Sequence, residues 1–341
     1  MKILKLFLFS SIMILLLSSC RKSPVNSETE NPIDLNEERL LIVRNTSSVD
    51  FSEICTIRPD SSGLQVISHY TYDKDTYYWL GYEMARWSPD KSKIVIAGGP
   101  GSTNEYVPLW LMDMNGRLLH KLTWNGNYPV WTHDGTRILF ERRRGYFSLI
   151  WDVYSVNIDG TDERLVYQVG DSTIFYLSDV SASGEYILGY ESIVYYTKEG
   201  KQSSTDLEIV KIHLDTGEKE YLTDNELSDG CPRYNGDETM IAYLCRDIPG
   251  ETMNKNIRNV YVMSPDGSNK RRVTNETKPN SILPFMAWSP DGKKITFQKM
   301  DKTSEYDQDS DIFIVDIDTG ELFQLTDTAK DGVTNLVMDW K

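Results

Sequence analysis

The chain has 341 residues, with 36 Lys and Arg against 51 Asp and Glu, a formal net charge of −15 and 40% hydrophobic residues. A body this acidic has no electrostatic reason to hold nucleic acid or an anionic membrane surface, so neither is expected as a partner. The length is ample for a large core, and a chain of this size with 4 cysteines needs no disulfide scaffold.

Residues 1–19 read as a secretory signal peptide. Lys2 and Lys5 give a positive start, and residues 6–17 are almost wholly apolar. That run falls short of the ~20 residues a membrane-spanning helix needs. It ends in Leu17-Ser18-Ser19-Cys20, which resembles the bacterial lipobox. The resemblance implies cleavage before Cys20, a diacylglycerol on its sulfur and an acylated new amine. Several acyl chains, at ~0.8 kcal/mol per buried methylene, make a firm anchor. The membrane contact expected is therefore the lipid alone. Residues 20–38 comprise the lipidated cysteine and a tether rich in Ser, Asn, Glu and Pro, too polar to order itself. Arg21 rather than Asp follows Cys20. By resemblance to the sorting rule of enteric bacteria, that points to the outer membrane, with a periplasmic or surface face.

From residue 39 onward the chain repeats. Five segments align: Trp87-Ser-Pro-Asp-Lys91, Trp131-Thr-His-Asp-Gly135, Val180-Ser-Ala-Ser-Gly184, Tyr234-Asn-Gly-Asp-Glu238 and Trp288-Ser-Pro-Asp-Gly292. The anchors lie 44, 49, 54 and 54 residues apart. Seven and nine residues beyond them stand Ile94/Ile96, Ile138/Phe140, Ile187/Gly189, Ile241/Tyr243 and Ile295/Phe297. A strand up to the anchor, a tight Pro-Asp-Gly turn and an alternating return strand make a β-hairpin. About midway between anchors comes a second hairpin with an Asp/Asn-Gly turn, as at Asn115-Gly116 with Leu122-Thr123 and at Asp266-Gly267 with Val273-Thr274. Four short antiparallel strands per repeat of roughly 40–50 residues are the blade of a β-propeller.

The two ends complement each other. Residues 39–44 form a second strand with no anchor before it, and residues 335–340 form an anchor strand with nothing after it. Trp340 lies 52 residues past Trp288, in step with the series. The fold expected is all-β: a six-bladed β-propeller of four-stranded antiparallel blades over residues 39–341, closed by the C-terminal strand joining the N-terminal strands. Closure would pair both open edges.

The Trp-Ser-Pro-Asp-Gly, Ile-x-Phe and Asp-Gly…Leu-Thr elements resemble the repeats of the TolB-type propeller. The resemblance covers residues 39–341 and implies a periplasmic or cell-surface propeller; partners do not carry over. Val180 and Tyr234 depart from the anchor Trp, and their turns lack the Pro.

The connections between blades and between hairpins are the longer and more varied ones, and binding usually lives on such loops. They hold Tyr77, Tyr78, Trp79, Tyr82, Tyr106, Trp124, Tyr128, Arg142, Arg143, Arg144, Tyr146 and Phe147. Aromatics interleaved with Arg have the composition of a recognition surface. The three arginines suggest a grip for carboxylate or sulfate. The plainer alternative for any one Tyr is packing between blades. Directly before the anchors stand Arg86, Val130, Asp179, Arg233, Ala287 and Asp339, whose charges are expected to pair across the channel. A Cys231–Cys245 bond would need a bulge or register shift and is left open.

Catalytic constellations are missing from the sequence. His69, His120, His133 and His213 show no metal-ligand spacing, and there is no nucleophile elbow, phosphate loop or dinucleotide fingerprint. The carboxylates at 307, 309 and 311 start like a calcium loop but lack its glycine and closing glutamate. No cofactor or metal is expected. The function expected is a membrane-anchored envelope binding or scaffold propeller, not an enzyme, recognising a protein or glycan. The alternative is a polysaccharide-active enzyme resembling oligogalacturonate lyase, whose manganese site uses histidines that have no counterpart cluster in this sequence.

Overall fold

The Trp87 repeat shows how the motif folds. Strand Tyr82–Trp87 runs up to the anchor and strand Lys93–Gly98 returns antiparallel, with Trp87 opposite Ile94. In the turn, the Ser88 hydroxyl donates to Asp90 (2.6 Å), which also accepts from Ser92 N (3.0 Å). The Lys91 N–H reaches Ser88 O (2.9 Å). The Ser88 hydroxyl, ahead of the Ser92 amide, holds the Asp90 carboxyl down to about 2. The fifth residue of every such turn is left-handed, with φ of 60° at Lys91, 69° at Gly135, 73° at Gly184, 55° at Glu238 and 67° at Gly292. That is why glycine recurs there and why Lys91 and Glu238 are strained. Strands Leu109–Asp113 and Leu118–Thr123 complete the blade.

The computed structural model describes residues 33–34, 36–46, 51–71, 82–100, 102, 106–145, 148–196, 202–246, 257–277, 282–300 and 309–341. Cys20 and the expected signal lie outside the described residues. Among the described residues the strands form five hydrogen-bonded sheets. The Trp131 blade holds Asn127–Trp131, Arg137–Arg143, Trp151–Asn157 and Arg164–Tyr167. The Tyr234 blade holds Ser228–Tyr234, Ile241–Arg246, Asn259–Met263 and Arg271–Arg272. The Val180 blade runs Thr173–Val180, Tyr186–Tyr196, Glu208–His213 and Lys219–Tyr221, and a fifth strand, Gln202–Ser204, pairs with the long end of its second strand.

The last sheet has eight strands. One antiparallel set is Ile282–Trp288, Lys294–Met300, Ser310–Asp316 and Leu322–Gln324. The other is Val333–Trp340, Leu40–Thr46, Phe51–Ile57 and Gln65–Thr71. A single parallel bridge, Ser310 with Thr334, joins the two sets. The architecture is an all-β propeller with antiparallel blades. The head-to-tail pairing follows the complementary ends of the sequence: Leu40 faces Trp340 and Val43 faces Leu336.

Each anchor strand carries a register shift just before its anchor. The shifts fall at Tyr82/Met84, Asn127/Val130, Leu177/Asp179, Gly230/Arg233, Leu283/Met286 and opposite Leu41/Ile42. Pro129, Pro232 and Pro284 fall inside these bulges, where no ladder N–H is required. Tyr128 and Cys231, each preceding a proline, take φ of 49° and 56°.

The bulge settles the cysteine question. Tyr234 faces Ile241 as the hairpin requires, but Gly230 faces Leu244, so Cys231 sits in the bulge. Its thiol approaches the Tyr190 hydroxyl (3.6 Å), and Cys55, Cys231 and Cys245 are all free thiols.

The departure at Gly189 also has a reason. Elsewhere that position holds Ile96, Phe140, Tyr243 or Phe297, all buried between blades. A Cβ on Gly189 would lie 2.5 Å from both Phe175 Cζ and Tyr176 O. The Phe175 ring, itself buried, fills from the neighbouring strand the space that a large side chain fills in the other repeats.

Candidate functional site on the loop face and in the channel

After Thr123 the chain crosses to the next blade through Trp124, Asn125 and Gly126. The crossing is short and tightly held. Gly126 N donates to Val107 O (2.8 Å), and a Cβ on Gly126 would lie 2.8 Å from Leu109 Cδ1 and from Phe140 Cδ2. Arg142, from the following blade, locks it: Nε donates to Asn125 O (2.9 Å), one terminal nitrogen to Thr123 Oγ1 (2.7 Å) and the other to Glu163 Oε1 (2.6 Å). Its guanidinium stacks 4.6 Å from the Tyr154 ring centroid. Out of this fixed loop stands Trp124, 67% exposed, with the Lys121 ammonium against its ring. Tyr106, on the segment that Val107 ties to Gly126, is 49% exposed. Tyr128 behaves differently: it packs against the core and lines the channel wall.

The three consecutive arginines do not form one grip, contrary to expectation. Strand neighbours point to opposite faces. Arg142 is engaged as above. Arg144 forks both oxygens of Asp152 (2.8 and 2.6 Å) and reaches Asp171 (2.6 Å). The Asp152 bonds raise the Arg144 pKa above its ordinary value. Arg143 alone is exposed, 5.3 Å from the Trp151 ring centroid. Tyr77, Tyr78, Trp79, Tyr146 and Phe147 lie outside the described residues, and of Tyr82 only the backbone is described. The structure therefore brings together Trp124 and Arg142, the latter as a brace, with the segment that carries Tyr106 tied to the same loop through Val107.

Sequence reasoning passed over Glu141. It lies on strand Arg137–Arg143, is 1% exposed and accepts from Leu177 N on the next blade. Burial raises its carboxyl to about 8, against the opposing pull of that amide. A signal was present: ten residues past the other anchors stand Ala97, Tyr190, Leu244 and Gln298, and Ala97, Leu244 and Gln298 are fully or almost fully buried. The histidines are dispersed and locally engaged. His120 Nε2 bonds Ile158 O (2.8 Å), and His213 Nδ1 accepts from Thr216 N (3.3 Å). Among the described residues no three His, Cys, Asp or Glu are grouped as metal ligands.

Around the channel, the order Asp–Arg–apolar occurs twice, as Asp339–Arg86–Val130 and Asp179–Arg233–Ala287. The contacts occur twice as well. Asp339 accepts from Trp87 N (3.2 Å) and Trp340 N (3.0 Å), and Asp179 from Tyr234 N (3.1 Å) and Val180 N (3.0 Å). Arg86 donates to Met338 O, and Arg233 to Ser178 O (2.9 Å). The Trp131 and Trp288 indoles donate to the Arg86 and Arg233 carbonyls (3.0 and 2.9 Å). Of the charges expected to pair, one ion pair forms, between neighbouring strands. Arg233 meets Asp179 on the preceding anchor strand at 3.8 Å, while Asp339 and Asp179 act on Arg86 through space with no ion-pair contact among the described residues.

No protein-family model matches the sequence, and no curated protein does. Among solved structures, TolB from Acinetobacter baumannii is similar at 14% identity with a TM-score of 0.65, over 89% of this chain and 66% of that one. A TolB structure from Agrobacterium tumefaciens gives 16% and 0.57, over 89% and 98%. The β-propeller domain of the Trilobed protease from Pyrococcus furiosus gives 16% and 0.50, over 86% and 79%. This chain thus spans about two thirds of the first of these proteins. At such identities the likeness shows the propeller fold and nothing finer.

Proposed function

We propose that the protein is a six-bladed, lipid-anchored propeller of the bacterial cell envelope that binds a protein partner through its long-loop face and is not an enzyme. The six-blade count is supported by the lone parallel bridge that divides the eight-stranded sheet, and by the recurrence of the bulged anchor strand. The lipid anchor rests on the lipobox-like segment ending at Cys20.

The observation that carries the binding site is Trp124. A large aromatic held in the open by a braced, glycine-tight loop is pre-organised, so a partner that buries it need not order it first. The Lys121 ammonium extends the same surface, and the exposed Tyr106 stands on the segment tied to this loop.

Trp124→Ala tests it by crosslinking in cells. Capture of the partner is expected to fall at least tenfold, while the stability of the purified protein stays within ~0.5 kcal/mol of the parent, as for a surface substitution. Capture unchanged by Trp124→Ala would remove the site. A captured glycan in place of a protein would overturn the partner class. In the same cells Cys20→Ser should move the chain from the membrane to the soluble fraction.

A further inference from the structure

On the side of the short anchor turns the channel widens into a chamber of about 420 Å³, a size typical of small-ligand sites. The anchors Trp87, Trp131, Tyr234, Trp288 and Trp340 line it, the tryptophans presenting only the edges that their burial between blades leaves, and turn residues such as Pro89, His133 and Pro290 form its rim. Behind it lies a smaller space of about 40 Å³, lined in part by Met84, Tyr128, Tyr190 and Cys231. Arg86, Val130 and Arg233 line both, so two guanidiniums stand at the waist between them.

The acids of this ring accept main-chain donors, and the bases keep donors to spare. Asp179 and Asp339 each accept two backbone N–H groups. A guanidinium carries five donors. Arg86 gives one to Met338 O, and its Nε is buried with no partner. Arg233 gives one to Ser178 O, and its 3.8 Å approach to Asp179 is too long for a hydrogen bond. Burial, with Arg233 facing it, pulls Arg86 down to about 9 against the opposing pull of Asp339 and Asp179. The chamber is lined by Arg86, Lys91, Arg233 and Lys341 and by Asp179, Glu238 and Asp339, with the two guanidiniums at its inner end, shared with the smaller space.

We propose that this chamber binds a carboxylate-bearing ligand, entering from the turn side, with its carboxylate between Arg86 and Arg233 and its body toward the anchor turns. A planar carboxylate matches the guanidinium fork. Asp179 and Asp339 line the same chamber and would repel a second negative charge. A peptide C-terminus and a hexuronic acid share this chemistry. The site is separate from the Trp124 loop and does not depend on it.

Calorimetric titration of the full chain tests this with four probes: acetyl-Ala-Ala-Phe with a free carboxylate, the same peptide as its C-terminal amide, glucuronate, and inorganic phosphate. Saturable binding of the free-acid peptide or of glucuronate is expected, with the amide silent and phosphate weaker. Which of the two binds identifies the source of the carboxylate. Arg86→Gln should weaken the responding probe roughly tenfold or more, the scale of one charge-assisted hydrogen bond. Arg233→Lys, which keeps the charge but removes the fork, should do likewise, and it carries the test if Arg86→Gln does not show a folded melting transition. Four results overturn the proposal: the amide binding as well as the acid, phosphate binding as tightly as a carboxylate, neither carboxylate binding, or affinity unchanged in the folded variants.

Discussion

Glu141 is an acid placed where only its neutral form is comfortable. In the folded protein burial lifts it to about 8, from an ordinary value of 4.5 in the unfolded chain. Between those values the unfolded chain releases the proton and the folded chain keeps it. Stability is therefore lost as pH rises through this window, by up to about 1.4 kcal/mol per pH unit. Glu141→Gln keeps an oxygen for Leu177 N and has nothing to titrate. Urea midpoints should show the variant gaining on the parent from pH 5 to pH 8 and matching its trend below pH 4.5. A gap that does not change with pH would mean that the carboxyl is charged in the fold. Residue-scale facts of this kind were the least legible in the sequence. Glu in an alternating strand suggests a solvated face, and only its place ten residues past an anchor hinted otherwise. The arginine triplet misled in the opposite direction, because composition does not reveal that Asp152 and Glu163 already hold Arg144 and Arg142.

The blade itself was largely readable. Anchor, Asp-centred turn and return strand recur because each hairpin must bury one edge ring between neighbours and turn within a few residues. The weak repeat at Val180 is the informative one. At Gly189 the packing is inverted, with Phe175 supplying the bulk. Gly189→Ala is expected to cost about 1–3 kcal/mol by overpacking, measured as a fall in the denaturation midpoint. Adding Phe175→Leu should recover part of that loss, and a double variant no better than additive would break the account. Two features at this scale were invisible beforehand. A bulge breaks the period-two pattern at a single point of a short strand, too little for the register shifts to be read. The strand Gln202–Ser204 is too polar to signal itself and exists because Tyr186–Tyr196 runs on past its blade.

At the scale of the molecule, the mismatched ends were the strongest clue and the pairing of Leu40–Thr46 with Val333–Trp340 follows them. Chain closure leaves the fold dependent on its last strand. Deletion of residues 333–341 would bare the Leu40–Thr46 edge and strip Trp340 from its core. Such a chain is expected to lose its single cooperative melt and to self-associate, seen as light scattering on a concentration series. A deleted form that stays monomeric and melts once would refute the closure. Partner and ligand were not legible at any scale, since one repeat pattern serves many surfaces.

The bulged, proline-bearing anchor strands have a consequence for what can occupy the hole they surround. A straight inner edge would offer a row of alternating amides and carbonyls, an invitation to any extended peptide to dock as one more strand. Here that row is interrupted in every blade, and at Pro129, Pro232 and Pro284 the donor is missing altogether. The pore is thus closed to zippering by main chain, and whatever enters must be chosen by charge and shape.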